Sequence, residues 1–326
     1  MSNNTLSKIS HPIKSELNQF NDLYGKSLKS KVGLVDLVTK YILKQKGKKV
    51  RPLLVLMSSQ LVGGINERSY RGAILVELLH SATLVHDDVV DNAEKRRGLP
   101  SINAIWKNKI AVLMGDYLLA KGLMLAVDKE DFDFLKIVTD TVRRMSEGEL
   151  LQIKKTRKLD IDEETYFRII NDKTASLLST CCEIGAAAVT ENESDRKKMR
   201  DFGTNLGIAF QIKDDILDYV GAKSLIGKPI GGDIKERKIT LPLLYSLKNA
   251  DSEKSNAIIK LLKSNNRKER VAEVIDFVKK HDGIDYSEKI AREYAAKAKS
   301  CINDFPESEA KKSLLQLVDF VVDRKK

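Results

Sequence analysis

The chain has 326 residues, and 57 lysines and arginines against 46 aspartates and glutamates give a formal charge of +11. Charged residues make up 32% and apolar residues 42%, which excludes a disordered chain and a membrane bundle. Its 18 glycines and 6 prolines are about 7% of the chain where average usage is about 12%, which disfavours a many-stranded sandwich or barrel and suits long helices.

Apolar residues recur at helical spacing from one end to the other. In chain order the pattern predicts helices over Val32–Gln45, Arg68–His86, Ala111–Val127, Phe132–Glu149, Glu163–Ala188, Arg196–Tyr219 and Leu241–Leu247, with at least three more in the C-terminal third. No convincing period-two run interrupts them, so the expected fold class is all-α. The functional loops are expected at Gly47–Pro52, Asn92–Pro100 and Gly221–Thr240, the last unusually long for a helical fold. With no internal repeat and no low-complexity linker, one domain over residues 1–326 is the economical reading.

Three cysteines, Cys181, Cys182 and Cys301, have neither zinc spacing nor a disulfide framework, and a reduced cytoplasmic location is expected. The N-terminus lacks the apolar run of a signal peptide. The longest uncharged stretch, Pro52–Asn66, is too short and too polar to span a bilayer. A soluble protein is expected. The basic balance raises nucleic acid, an acidic membrane surface or anionic small molecules as partners. Zinc-finger spacing and RNP-type aromatics are missing, which weighs against nucleic acid.

The most informative residues are DDVVD at Asp87–Asp91 and DDILD at Asp214–Asp218. On a helix, positions i and i+4 share a face about one turn apart, so Asp87 projects with Asp91 and Asp214 with Asp218. Like charges at that spacing repel, the more so behind the apolar runs ELLHSATLVH and LGIAFQI. A compensating cation resolves the conflict. Carboxylate oxygens are hard ligands, and one or two of them plus substrate phosphates is the usual way to hold Mg²⁺. A solvated acidic patch would account for one such cluster, but poorly for two with identical spacing.

Cations surround the same regions: Lys48 and Arg51 in GKKVRP, Arg96 and Arg97 in RRG, Lys173 in DKTAS, and Lys228 and Lys238 in the glycine-rich loop. Guanidinium forks and ammonium groups are what diphosphate oxygens need.

With these motifs in place the chain closely resembles the trans-isoprenyl diphosphate synthases, the polyprenyl synthetase family. GKKVRP, LLHSATLVHDDVVDNAEKRRG, GDYLLAK, EGELLQ, DKTAS, GIAFQIKDDILD and GKPIGGDIKERKITLP occur in family order from about His11 to Pro242. The resemblance implies an α-bundle with both aspartate motifs at the mouth of a central cavity. It also implies head-to-tail transfer of an allylic group (dimethylallyl, geranyl, farnesyl or geranylgeranyl) from its diphosphate onto isopentenyl diphosphate. Asp87, Asp91 and Asp214 match the positions that bind three Mg²⁺ ions, with Asp88, Asp215 and Asp218 as the remaining motif acids. Lys48, Arg51, His80 and Arg97 match the isopentenyl diphosphate site. Arg96, Lys173, Gln211, Lys228 and Lys238 match residues around the allylic diphosphate, although Arg237 stands before Lys238 where many relatives carry glycine. Thr174 and Gln211 are the implied dipoles facing the allylic cation, and the departing diphosphate is the implied base. His86 is read as a packing residue and Lys213 as a variable position.

Helix geometry places Thr83 and Ala82, four and five residues before Asp87, about one turn below it. Aromatic residues there floor the cavity in short-chain members of the family; here both are small, and the lead-in resembles long-chain synthases that make quinone side chains. An approximately octaprenyl product is expected, with a geranylgeranyl- or farnesyl-type product as the alternative. Leu75, Leu79, Met114 and Leu118 are candidate floors. A terpene cyclase would usually lack the second DDxxD and the GKxxR site. The resemblance further implies a homodimer, with a non-catalytic subunit of a heteromeric synthase as the other alternative. An insoluble product suggests transient membrane contact at release.

Overall fold

A computed structural model describes residues 3–45, 47–220, 231–264 and 267–324. The order is α1 (Asn3–Ser10), a 3₁₀ turn, α2 (Lys14–Ser27), α3 (Gly33–Lys44), α4 (Val50–Val62), α5 (Glu67–Val90), α6 (Ile102–Asp128), α7 (Phe132–Lys158) and α8 (Glu163–Ile170). After a π-turn at Asn171–Ala175 come α9 (Ser176–Ala187), α10 (Glu193–Val220), α11 (Gly232–Lys235), α12 (Leu241–Asn249), α13 (Ser252–Lys263), α14 (Arg267–Lys280), α15 (Gly283–Cys301) and α16 (Glu309–Asp323). The fold is all-α, as the periodicity predicts.

Helix α4 is apolar nearly all round and is buried from Pro52 to Ser59. It packs with α5, α9 and α10 into the main core, while Tyr219, Ile234, Leu243, Leu262 and Val274 form a smaller cluster among α10–α14. Helix α5 starts on a capping box at Asn66 and Ser69, which fixes its N-terminus and hence the register of everything it carries.

Several local features differ from the sequence expectation. The helix expected over Glu163–Ala188 is present but carries the π-turn within it, with right-handed helical backbone on both sides. Two close approaches frame it: a Cβ on Gly148 would lie 3.0 Å from Lys173 N, and one on Gly207 would lie 2.5 Å from Ala175 Cα. Helices α7 and α10 therefore press against this turn from two sides. The loop Asn92–Pro100 contains a two-residue antiparallel ladder pairing Lys95 with Pro100 and Arg96 with Leu99. Part of the loop Gly221–Thr240 is the helical turn α11, and its residues 221–230, Lys228 among them, lie outside the described residues.

Helix α6 begins well before the expected Ala111, with a kink at Lys107 (φ 68°). By length and composition it is apolar enough to cross a bilayer, and about a third of its most apolar stretch is buried.

Candidate active site

The first aspartate cluster occupies the last turn of α5, with Asp91 as C-cap; the second lies in the last two turns of α10. The structure divides the six acids. Asp88 is buried and accepts from Arg96 Nε at 2.8 Å. Asp215 is buried and accepts from Tyr166 Oη at 2.6 Å and Gln211 Nε2 at 2.8 Å. Asp218 accepts from the backbone N–H of Gly232 and Asp233 at 2.9 and 3.0 Å, pinning α11 to α10. Asp87, Asp91 and Asp214 are the three whose carboxylates reach the solvent-exposed mouth.

Cations join the two sides. Lys173 on the π-turn pairs with Glu149 of α7, hydrogen-bonds Gln152 Oε1 at 3.2 Å, and acts electrostatically on Asp87. Lys238 pairs with Glu236 at 2.6 Å and stands 4.0 Å from Asp233. Burial opposes its charge, but these acids, together with Asp91, raise its pKa. The Asp87 carboxyl is pushed upward by desolvation in the cleft, with Glu149 and Asp91 adding like charge and Lys173 opposing. Asp215 is pushed well above the ordinary carboxylate range by burial and by Asp233, against its two hydrogen bonds.

One cavity of about 110 Å³ opens here, lined by Lys173, Thr174, Gln211, Asp215, Asp233 and Lys238 among others. Along it Thr174 Oγ1 donates to Gln211 Oε1 at 2.9 Å, and Gln211 passes the chain on to Asp215. These bonds fix the orientation of both dipoles.

A second cavity, about 260 Å³, lies along α5, lined by Lys49, Glu77, Ser81, Asp88, Arg96 and Arg97 among others. Arg97 folds over Gly47, where a Cβ would meet its guanidinium at 2.3 Å, so a side chain at position 47 would displace Arg97 from this placement. Arg51 and His80 are packed close by, and Arg51 Nε and His80 Nε2 are buried without a hydrogen-bond partner. Burial, with Arg51, Arg97 and Arg96 adding to it, lowers the His80 pKa well below its usual value. The imidazole is therefore neutral. Lys48 is exposed and does not line this cavity; Lys49, held at φ 47°, lines it instead. Ala82 is buried, and Thr83 is half-buried with its hydroxyl donating to the His80 carbonyl at 2.9 Å. Neither lines either cavity, and Leu75, Leu79, Met114 and Leu118 all sit in the main core.

Sequence reasoning passed over Lys49, Glu77, Tyr166, Asp233 and Arg324. Asp233 was within reach, because GGDIKERK is a recognised motif. His86 Nε2 lies 3.3 Å from Asp116 Oδ1 and 3.2 Å from the Val112 carbonyl, bridging α5 to α6. Lys213 reaches Glu288 at 3.4 Å.

Among the described residues no three carboxylate, imidazole or thiol groups stand close enough to hold a metal ion unaided. The donors instead come in ones and twos, all hard oxygens, with like charge crowded at Asp87. That set fits Mg²⁺ whose remaining ligands are substrate phosphates.

An all-helical fold with two aspartate clusters, facing lysines and a separate basic cavity defines the class of isoprenyl diphosphate synthases, and solved members share its architecture. The chain belongs to the polyprenyl synthetase family, which residues 33–278 match. It is 34% identical to the octaprenyl diphosphate synthase of Haemophilus influenzae over 99% of this chain and 98% of that protein. It is 36% identical to the geranylgeranyl diphosphate synthase of Saccharolobus solfataricus over 86% and 87%. A polyprenyl synthase from Caulobacter crescentus, solved with calcium and isoprenyl diphosphate, superposes with a TM-score of 0.90 at 31% identity, covering 98% of each chain. The protein is thus a prenyltransferase of the trans-prenyl diphosphate synthase kind, with relatives that differ in product length.

Proposed function

We propose that this protein condenses isopentenyl diphosphate onto an allylic diphosphate, repeatedly, to a product of about eight isoprene units. The observation that carries this reading is a pair of cationic cavities with no lining residue in common, one lined by Asp215 of the second aspartate cluster and one by Asp88 of the first. Two diphosphates with different fates need two such sites. In this reading Asp87, Asp91 and Asp214 hold Mg²⁺ at the cleft mouth, while Asp88, Asp215 and Asp218 hold the protein frame. Bound Mg²⁺ would neutralise the allylic diphosphate so that it leaves readily. Lys173 and Lys238 would bind the same diphosphate, and Lys228 is proposed with them from its motif alone.

Thr174 and Gln211 would turn oxygen lone pairs towards the allylic cation, already oriented before reaction. Arg51, Arg97, neutral His80 and Lys49 would bind and orient the isopentenyl diphosphate, with Lys48 in reach from the rim. Arg96 is committed to Asp88 and would act on the allylic side through that carboxylate.

A long product is supported by the small residues Ala82 and Thr83 and by similarity to the octaprenyl enzyme. A shorter product is favoured by similarity to the geranylgeranyl enzyme. We further infer one domain and a homodimer through α6, whose Ile105, Val112, Leu113, Met124 and Val127 are each more than 40% exposed on a helix that otherwise reads as core.

The deciding experiment incubates purified protein with Mg²⁺, isopentenyl diphosphate and farnesyl diphosphate and sizes the dephosphorylated products by mass spectrometry. A discrete product near eight units supports the proposal. A stop at four units keeps the chemistry and overturns the chain length. No product would favour a subunit that needs a partner.

A further inference from the structure

Helix α5 presents Glu77, Ser81, Leu84, Val85 and Asp88 along one stripe of the basic cavity. The spacing is four, seven, eight and eleven residues from Glu77, a single helical face. Asp88 is already taken by Arg96. Glu77 is therefore the carboxylate left on this wall, facing cations that arrive from two other elements. Lys49 comes from the start of α4, Arg51 from its first turn, and Arg97 from the turn of the short hairpin.

Holding these cations together is costly. Lys49 and Arg97 both adopt left-handed backbone, at φ 47° and φ 53°, which non-glycine residues rarely occupy and which clusters at ligand sites. Lys49 Nζ stands 4.9 Å from the centre of the Tyr24 ring, whose hydroxyl is tied to Ser81 Oγ at 3.0 Å, so its side chain is steered inward. Arg51 is packed away from water with Nε unpartnered. Burial lowers the pKa of both Lys49 and Arg51, and the charge of Glu77 works against that loss in each. Reciprocally, burial raises the Glu77 pKa while Arg51, Lys49 and Arg97 oppose the rise.

A carboxylate in an anion-binding pocket must weaken the anion's binding by simple repulsion. Its presence makes sense if the empty pocket cannot keep its cations assembled without one. We propose that Glu77 is the internal counter-ion of this pocket, standing in for the diphosphate when none is bound and limiting how tightly one is taken. Residue and incoming diphosphate compete for the same positive field, so Glu77 tunes affinity downward while keeping the site preformed. This deepens the proposed function and rests on its assignment of the basic cavity to isopentenyl diphosphate.

The test compares wild type with Glu77→Gln in EDTA, where a metal-dependent site is silent. Isopentenyl diphosphate binding is measured by calorimetry and melting by a thermal ramp. Unliganded Glu77→Gln is expected to melt several degrees lower. Its dissociation constant should fall by about tenfold, which corresponds to ~1.4 kcal/mol. In turnover the gain should fall on KM for isopentenyl diphosphate rather than on kcat. Glu77→Asp keeps the charge and should restore wild-type melting, which separates charge from packing if the amide variant folds poorly. Equal or weaker binding by a folded Glu77→Gln overturns the counter-ion. Should wild type bind inorganic pyrophosphate but not isopentenyl diphosphate, the substrate assignment fails, and the same wild-type-to-variant ratio measured with pyrophosphate still decides the role of Glu77.

Discussion

Arg324, just beyond α16, places Nη2 2.6 Å from Asp214 Oδ1, so the leading acid of the second aspartate cluster is already paired with a guanidinium. The same nitrogen donates to the Phe210 carbonyl at 2.9 Å, and the guanidinium lies 4.3 Å from the centre of the Phe210 ring. Burial lowers the Arg324 pKa, and Asp214 opposes that shift. A cation seated on a proposed metal ligand competes with the metal. Arg324→Ala should therefore lower the Mg²⁺ concentration that half-stabilises the protein in the presence of inorganic pyrophosphate, by severalfold, while lowering the metal-free melting temperature by a few degrees. An unchanged Mg²⁺ midpoint would show that the pair and the metal do not compete.

The carboxylates at the mouth give a sharper contrast. Asp87→Ala should lower turnover by orders of magnitude with a near-native melting curve, because its carboxylate lies at the exposed mouth; Asp214→Ala should lower turnover as much and also melt a few degrees lower, because it strands the Arg324 guanidinium. Asp215→Ala should differ from Asp87→Ala: it strands the buried Tyr166 hydroxyl and Gln211 amide, at a cost of about 1–3 kcal/mol for each unsatisfied group, and loses stability as well as activity. Wild-type rates for Asp87→Ala at saturating Mg²⁺ would remove it from the metal site.

Acid stability should depend on a residue far from the cleft. Asp131 is 3% exposed and accepts from Arg68 Nε at 2.8 Å and from Arg71 Nε and Nη2 at 2.7 and 3.1 Å. Burial alone would raise its pKa, but these bonds and charges win and hold it below the usual carboxylate value. The folded state thus binds this proton more weakly than the unfolded chain. The stability gained is present above the unfolded value, about 3.9, and is lost as pH falls through the lower folded value. Asp131→Asn should flatten the acid limb of a stability-against-pH curve below about pH 4 and cost about 2 kcal/mol at neutrality through lost charge-assisted bonds. An acid limb identical to wild type would contradict the linkage.

Ala82 is 2% exposed, so Ala82→Phe has to push neighbours aside at about 1–3 kcal/mol. If the growing chain passes this point, the variant should release shorter products than wild type. An unchanged product spectrum from a folded variant would place the wall elsewhere.

Much of this was legible because it depends on periodicity. Asp87 and Asp91 share a face for the same reason that Leu75 and Leu79 share one, and the all-α class comes from that spacing alone. The choice between Lys48 and Lys49 was not legible: it turns on a left-handed φ at Lys49 that reverses which neighbour points inward. Tyr166 gave no local signal, since its partner Asp215 is 49 residues away. Glu77 did give one, a lone acid inside the apolar run AILVELLH, but an acid there has a reason only once Lys49, Arg51 and Arg97 are seen around it. Arg237 holds left-handed backbone (φ 61°), a conformation glycine adopts at lower cost and one that the sequence around it does not announce.

The π-turn at Asn171–Ala175 bears on how this gene tolerates change. A π-turn carries one residue more than an α-turn, and each helical residue rotates the downstream chain by about 100°. Elsewhere in these helices a one-residue deletion would turn a buried face outward. Here it would be absorbed, because the shortened turn becomes ordinary helix and α9 keeps its register. The loss would be the outward displacement of Lys173 and Thr174.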